Sequence, residues 1–170
     1  MKELKPIDYK LLFELMKDSH RSDRQLAKAL GVSQPTITRR RAMLEENYIE
    51  GYTVIPKFFE IGFEIAALTF LKRKSKKRPK GQEQEEMIKK LKDWYNKQTG
   101  VTLAVEGIGM GWDAVCFSFH ENYSNLTEFI RSIESEWSDS IGETQTFVIN
   151  FNTDTVLKPF HMKYLKLTNK

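Results

Sequence analysis

Only one cysteine, Cys116, occurs in 170 residues, so neither an intrachain disulfide nor a cysteine-based zinc site can form. No apolar run approaches the roughly 20 residues that span a bilayer, and Met1-Lys2-Glu3 opens no signal peptide. A Gly-rich phosphate loop, a paired His/Glu metal motif and a Gly-x-Ser-x-Gly elbow are all missing. The three histidines, His20, His120 and His161, lack the spacing of a ligand set or a triad, and His120 at the end of a strand reads as a surface residue. No catalytic residue, metal or cofactor is therefore expected, nor a membrane partner. A soluble, cytoplasmic protein of a reducing compartment is the expectation. What is present is a folding chain: 40% apolar and 12% aromatic residues are too many for disorder. The length suits one domain or two small ones that bury roughly 70% of the unfolded surface.

Charge is unevenly placed. Residues 1–60 hold 11 Lys/Arg and 9 Asp/Glu. Residues 72–80 (KRKSKKRPK) hold 7 basic residues and no acid, and the rest of the chain holds 9 basic and 14 acidic. A polyanion must therefore meet the N-terminal third, that basic run, or both.

The N-terminal third reads as three helices and a hairpin. Ile7, Leu11, Leu12, Leu15 and Met16 form the stripe of a first amphipathic helix. Ser22 and Gln25 form a capping box for a second, whose inward face is Leu26, Ala27 and Leu30, and Gly31 supplies a turn with φ > 0. Ser33 is the N-cap of a third helix from Gln34 to about Glu46, with Pro35 tolerated in its first turn. Ile37 and Leu44 face inward, and Pro35, Thr38, Arg39 and Ala42 lie on the opposite side at about 100° per residue. Asn47 is expected to end this helix in the left-handed conformation, with two short strands around Glu50-Gly51 following as a wing.

A short helix, a Gly-containing turn and a longer helix have helix-turn-helix spacing, and the second helix of such a pair enters the major groove. The residue types fit duplex DNA. Ser33, Gln34, Thr36 and Thr38 offer hydrogen bonds to base edges and phosphates, Arg39, Arg40 and Arg41 offer positive charge, and Pro35 and Ala42 complete the face. The competing reading is a plain three-helix bundle with a solvated arginine face. Arg41 lies near the buried stripe. It either snorkels along the core edge or, with Arg40, holds a carboxylate such as Asp8, which leaves Arg39 the strongest candidate for DNA contact.

The stretch from Ile7 to Pro56 resembles the DNA-binding domain of the Lrp/AsnC family of transcription regulators. The resemblance rests on Ile7-Asp8, on residues 18–22, on Leu26-Ala27 with Leu30-Gly31-Val32-Ser33, on Arg40 with Leu44-Glu45, and on Ile49-Glu50-Gly51-Tyr52. Arg41, where the family has an aliphatic residue, and Asn47-Tyr48, where it often has a glycine, depart from the pattern.

Beyond Gly62 the periodicity predicts strand, helix, strand, strand, helix, strand: an alternating run from Phe63 to Leu71, a stripe of Met87, Ile88, Leu91, Trp94 and Tyr95, strands at 101–107 and 112–120, a stripe from Leu126 to Trp137, and a strand from Thr144 to Phe151. The simplest fold is an antiparallel sheet with both helices on one face. The fold class expected is therefore α+β, a winged helix-turn-helix (1–56), a linker (57–62), a ferredoxin-like βαββαβ domain (63–153) with a basic loop (72–81), and a tail (154–170). Because the strands carry apolar residues on both faces, the bare face is expected to be covered by a second copy in a homodimer.

This half is similar, more loosely, to the ligand-sensing domain of the same family, and the resemblance implies dimers that assemble further into tetramers or octamers. It also implies an amino-acid effector held between protomers by Gly109, Gly111, Asp113, Thr144 and Thr146; the alternative is that Gly107, Gly109 and Gly111 only shape a tight hairpin. The resemblance also implies a prokaryotic, nucleoid-associated protein. Three readings of the basic run stay open: a solvated loop, a phosphate-binding arm, or an import-like signal. Two alternatives to a sequence-specific regulator also stand: a DNA-organising protein of low sequence specificity, and an enzyme like the sirohaem decarboxylases, which share this layout.

Overall fold

The computed structural model describes residues 3–75, 79–151 and 156–165. Among these, residues 3–55 with 158–165 form one compact unit and residues 56–151 with 156–157 another. No helix of the described residues is long and apolar enough to cross a membrane.

The first unit holds α1 (Pro6–Lys17), α2 (Asp23–Leu30) and α3 (Gln34–Asn47). Leu11, Leu15, Leu26, Ala27, Ile37 and Leu44 are its buried core, so the helical stripes read from the sequence are the faces that pack. The Ser22–Gln25 capping box forms, with the Gln25 N–H 3.3 Å from the Ser22 hydroxyl and the Ser22 N–H 2.8 Å from Gln25 Oε1. Gly31 closes α2 at φ 68°, in the left-handed region where glycine carries no Cβ penalty. Residues 158–165, within the expected tail, cluster with this unit and include a 3-10 turn at Met162–Tyr164.

Two local expectations are corrected. α3 continues through Asn47 to a cap at Tyr48, whose φ is −139°, so Asn47 is not left-handed; its side chain instead donates to the Met43 carbonyl at 3.0 Å. The wing strands are absent, and residues 49–57 run without strand pairing. A lone two-stranded hairpin is marginal in water. Tyr52 instead lays its ring 5.6 Å from the Arg41 guanidinium and donates its hydroxyl to Glu45 at 2.8 Å.

The second unit is a four-stranded antiparallel sheet of β1 (Ile65–Arg73), β2 (Val101–Gly109), β3 (Trp112–His120) and β4 (Ile141–Asn150), in the order β2-β3-β1-β4. α4 (Gln82–Lys97) and α5 (Tyr123–Glu136) pack on one face, where Trp94, Phe129 and Ile133 meet Leu71 and Cys116. Leu68, Phe70, Phe117, Phe147 and Ile149 belong to the other face, opposite α4 and α5, by the alternation of β1 and its register with β3 and β4. Phe58, in the expected linker, stacks on this sheet at 4.2 Å from Phe119 and 5.4 Å from Phe151. Of the basic run, Lys76, Lys77 and Arg78 lie outside the described residues, while Lys72 pairs with Glu143 at 3.1 Å and Arg73 with Glu106 at 2.5 Å.

His120 is not at the surface. It is 6% exposed, its ring Nε2 lies 2.8 Å from the Ser118 hydroxyl, and Phe129 of α5 packs over it at 5.4 Å. Burial holds its pKa below the ordinary 6.5. The unfolded chain therefore takes up a proton near pH 6.5 that the folded chain refuses, so stability falls as pH drops from there toward the folded pKa. The cost is about 1.4 kcal/mol per pH unit over that window. The denaturant midpoint of this unit should drop between pH 7 and pH 5 more steeply in the parent than in His120→Gln; equal slopes would contradict the assignment. Burial also pushes the Cys116 thiol up to about 11, which leaves it protonated and unreactive at neutral pH.

Candidate nucleic-acid interface

Ser33 occupies the N-cap of α3, but its hydroxyl pairs with Thr36 Oγ1 at 2.8 Å instead of capping a backbone N–H. Gln34, Pro35, Thr38, Arg39 and Ala42 are exposed along the outer face, with Thr36 half-buried. The hydrophobic pattern sets this orientation, because Ile37 and Leu44, both 0% exposed, anchor the opposite side.

The three consecutive arginines have different roles. Arg40 reaches back to Asp8 of α1, with Nη1 to Oδ1 at 2.7 Å, and Asp8 is 1% exposed. The second Asp8 oxygen accepts the Lys5 N–H at 2.8 Å. This pair fixes α1 against α3. Arg41 turns toward α2, placing Nη1 3.2 Å from Asp23 and 3.3 Å from the Arg21 carbonyl, and its Nε donates to Glu45 at 2.9 Å. Burial works against its charge, but the bonds to Glu45, Tyr52 and Asp23 outweigh that and hold its pKa above the usual arginine value. The family-atypical arginine is thus a brace between α2, α3 and Tyr52. Arg39 has no carboxylate within 4 Å among the described residues.

Thr38 Oγ1 lies 2.6 Å from Asp23 Oδ2 and 3.2 Å from the Gln34 carbonyl. Asp23 therefore serves Thr38 and Arg41 together and sets the crossing of α2 and α3. Arg24 and Lys28, exposed on α2, join Arg39 as cations of the helix pair with no carboxylate within 4 Å among the described residues. Neither is among the sequence-based candidates; the signal that points to them is helix-turn-helix spacing, in which the first helix of the pair crosses the DNA backbone.

The five residues expected at an effector site do not converge in one protomer. Gly109 and Gly111 flank Met110 in the β2–β3 turn, where Met110 has φ 50° and Ile108 and Met110 are exposed. Asp113 accepts the Arg73 N–H at 2.9 Å, Thr144 donates to Glu134 of α5 at 2.9 Å, and Thr146 pairs with Thr69 at 3.1 Å.

The fold and the outward face of α3 define a helix-turn-helix DNA-binding transcriptional regulator. Residues 6–45 match the AsnC-type helix-turn-helix domain, and the chain is similar along most of its length to transcriptional regulators that carry an HTH domain. It is 28% identical over 148 residues to an HTH-type transcriptional regulator of Pyrococcus horikoshii, PH1692, covering 86% of this chain and 91% of that protein. The structure of Bacillus subtilis LrpC superposes with a TM-score of 0.68 at 22% identity, covering 90% of this chain and 99% of that one. The transcriptional regulator NMB0573 of Neisseria meningitidis, solved as a complex with L-Met, gives 0.71 at 15% identity over 86% of this chain and 90% of that one.

Proposed function

We infer that this chain is a sequence-specific regulator that binds duplex DNA as a homodimer, with α3 in the major groove. The observation that carries this reading is the division of labour on α3. Arg40 and Arg41 are committed to Asp8, Asp23 and Glu45, while Gln34, Pro35, Arg39 and Ala42 stay exposed. Gln34 and Arg39 suit base edges, the Ser33–Thr36 hydroxyl pair suits phosphates, and Arg24 and Lys28 add phosphate contacts from α2. Thr38, Arg40 and Arg41 act by positioning the helix.

The apolar sheet face opposite α4 and α5 supports dimerisation, and paired heads should read half-sites about 34 Å apart or a multiple of that. Tetramers or octamers are the further assembly of this architecture. The L-Met complex of the Neisseria protein supports an amino-acid effector, bound between protomers through Gly109, Gly111, Asp113, Thr144 and Thr146. The regulator reading is favoured over a sirohaem-type enzyme, because His120 is buried and bonded to Ser118.

Selection of duplexes from a random pool tests specificity. A regulator should bind the selected site about 10³-fold or more above random DNA at physiological salt. A ratio near one would leave the DNA-organising alternative.

A further inference from the structure

α4 does not seal the sheet beneath it. Only Trp94 of its sixteen residues is buried, whereas α5 buries Leu126, Phe129 and Ile133. Between α4 and the β2 side of the sheet lies a cavity of about 490 Å³. Packed interiors hold few voids larger than a water molecule, and this volume falls within the roughly 300–1,000 Å³ of small-ligand sites. Its walls are mostly apolar: Met87, Ile88, Leu91 and Tyr95 from α4 face Leu71 and Val101 of the sheet.

Five residues of the lining are charged. Lys72, Arg73 and Lys92 supply three cations, against two carboxylates, Glu106 and Asp113. Asp113 already accepts the Arg73 backbone N–H at 2.9 Å. The Arg73 side chain is 18% exposed and so is held in place, while its partner Glu106 is 53% exposed. A second carboxylate can therefore replace Glu106 on a guanidinium that stays put, with the bidentate geometry arginine favours. Trp137, also in the lining, has a buried indole N–H with no partner among the described residues, a donor suited to an acceptor oxygen.

We propose that each protomer binds a monocarboxylate with an apolar body in this cavity, the carboxylate on Arg73 and the apolar part between α4 and the sheet. The site lies within one protomer. It gives the small-molecule part of the functional reading a second location and ligand class, while resting on neither the dimer nor the DNA contacts. An added ammonium group would have to give up its hydration against the apolar walls of Met87, Ile88, Leu91 and Tyr95, so the carboxylate alone is the recognised charge.

The test is titration of the full chain with 3-phenylpropanoate, 3-phenylpropanamide and L-phenylalanine, by calorimetry and by amide NMR shifts. The acid should bind at least tenfold tighter than the amide and than phenylalanine, with shifts concentrated on α4, β2 and Trp137. Arg73→Met should erase the preference of acid over amide, and Ile88→Trp, which fills the space, should weaken both. Circular dichroism checks that each variant is folded, and Ile88→Trp carries the test should Arg73→Met fail to fold. Equal binding of acid and amide, tighter binding of phenylalanine, no saturable binding by the folded parent, or shifts elsewhere would overturn the proposal. DNA affinity, measured separately, distinguishes failure here from failure of the regulator reading.

Discussion

Asp8→Ala should melt the three-helix unit although it alters no exposed residue of α3. Asp8 is 1% exposed and accepts from both Arg40 and the Lys5 N–H. Its removal leaves a guanidinium only 17% exposed without its counter-charge, and Arg40 Nε is already buried with no partner among the described residues. Breaking one side of a buried pair costs about 3–5 kcal/mol, and the lost bond at the start of α1 adds to this. A stability of about 5 kcal/mol is ordinary for a small unit, so the head would be largely unfolded near room temperature and DNA binding would go with it. Asp8→Ala combined with Arg40→Met should recover much of the loss, because it removes the stranded charge and keeps the methylene packing. Urea unfolding followed by circular dichroism reads both; an Asp8→Ala midpoint equal to the parent's would show that the pair does not hold α1 to α3.

The second large effect concerns assembly. Leu103 on β2 is 51% exposed and Phe147 on β4 is 63% exposed, both on the sheet face opposite the helices by their register with Phe117 and Leu68. A Leu103→Glu/Phe147→Glu protein loses little within the protomer, since both side chains already meet solvent. Between protomers it sets four new carboxylates in a desolvated interface, and burying an unpaired charge costs several kcal/mol. Light scattering should give about 40 kDa or a multiple for the parent and the protomer mass, 19.9 kDa, for the variant. Losing the link between two heads should weaken binding to a two-half-site operator by about 10²–10⁴-fold. A variant that keeps the parent's mass would place the interface elsewhere.

Much of the head was legible because its signals are local. Ser22 with Gln25, Gly31, and the Ile37/Leu44 spacing each act within a turn or two of chain, and Asp8 was already named as a partner for Arg40 or Arg41. The absence of wing strands was not legible, because Tyr52 is spent on Arg41 and Glu45, and that choice depends on where α3 places those side chains. The Arg41–Asp23–Thr38 cluster depends on a helix crossing, which hydrophobic period does not encode. His120 sits at a strand end in sequence but under α5 in space. The cavity beneath α4 leaves no mark in the residue pattern, because the stripe from Met87 to Tyr95 reads as an ordinary packed helix.

The claim on which the rest depends is that the solvent side of α3 meets DNA and that, of the three successive arginines, only the first touches it. The most direct measurement is the salt dependence of affinity for a selected duplex, in the parent and in Arg39→Ala. Loss of one phosphate contact should reduce the log–log slope by about 0.9, or loss of a base contact should cost about 1–3 kcal/mol, confined to particular positions of the site. Either result, in a variant with unchanged thermal stability, is the predicted one. Affinity, slope and site preference all identical to the parent's would contradict it.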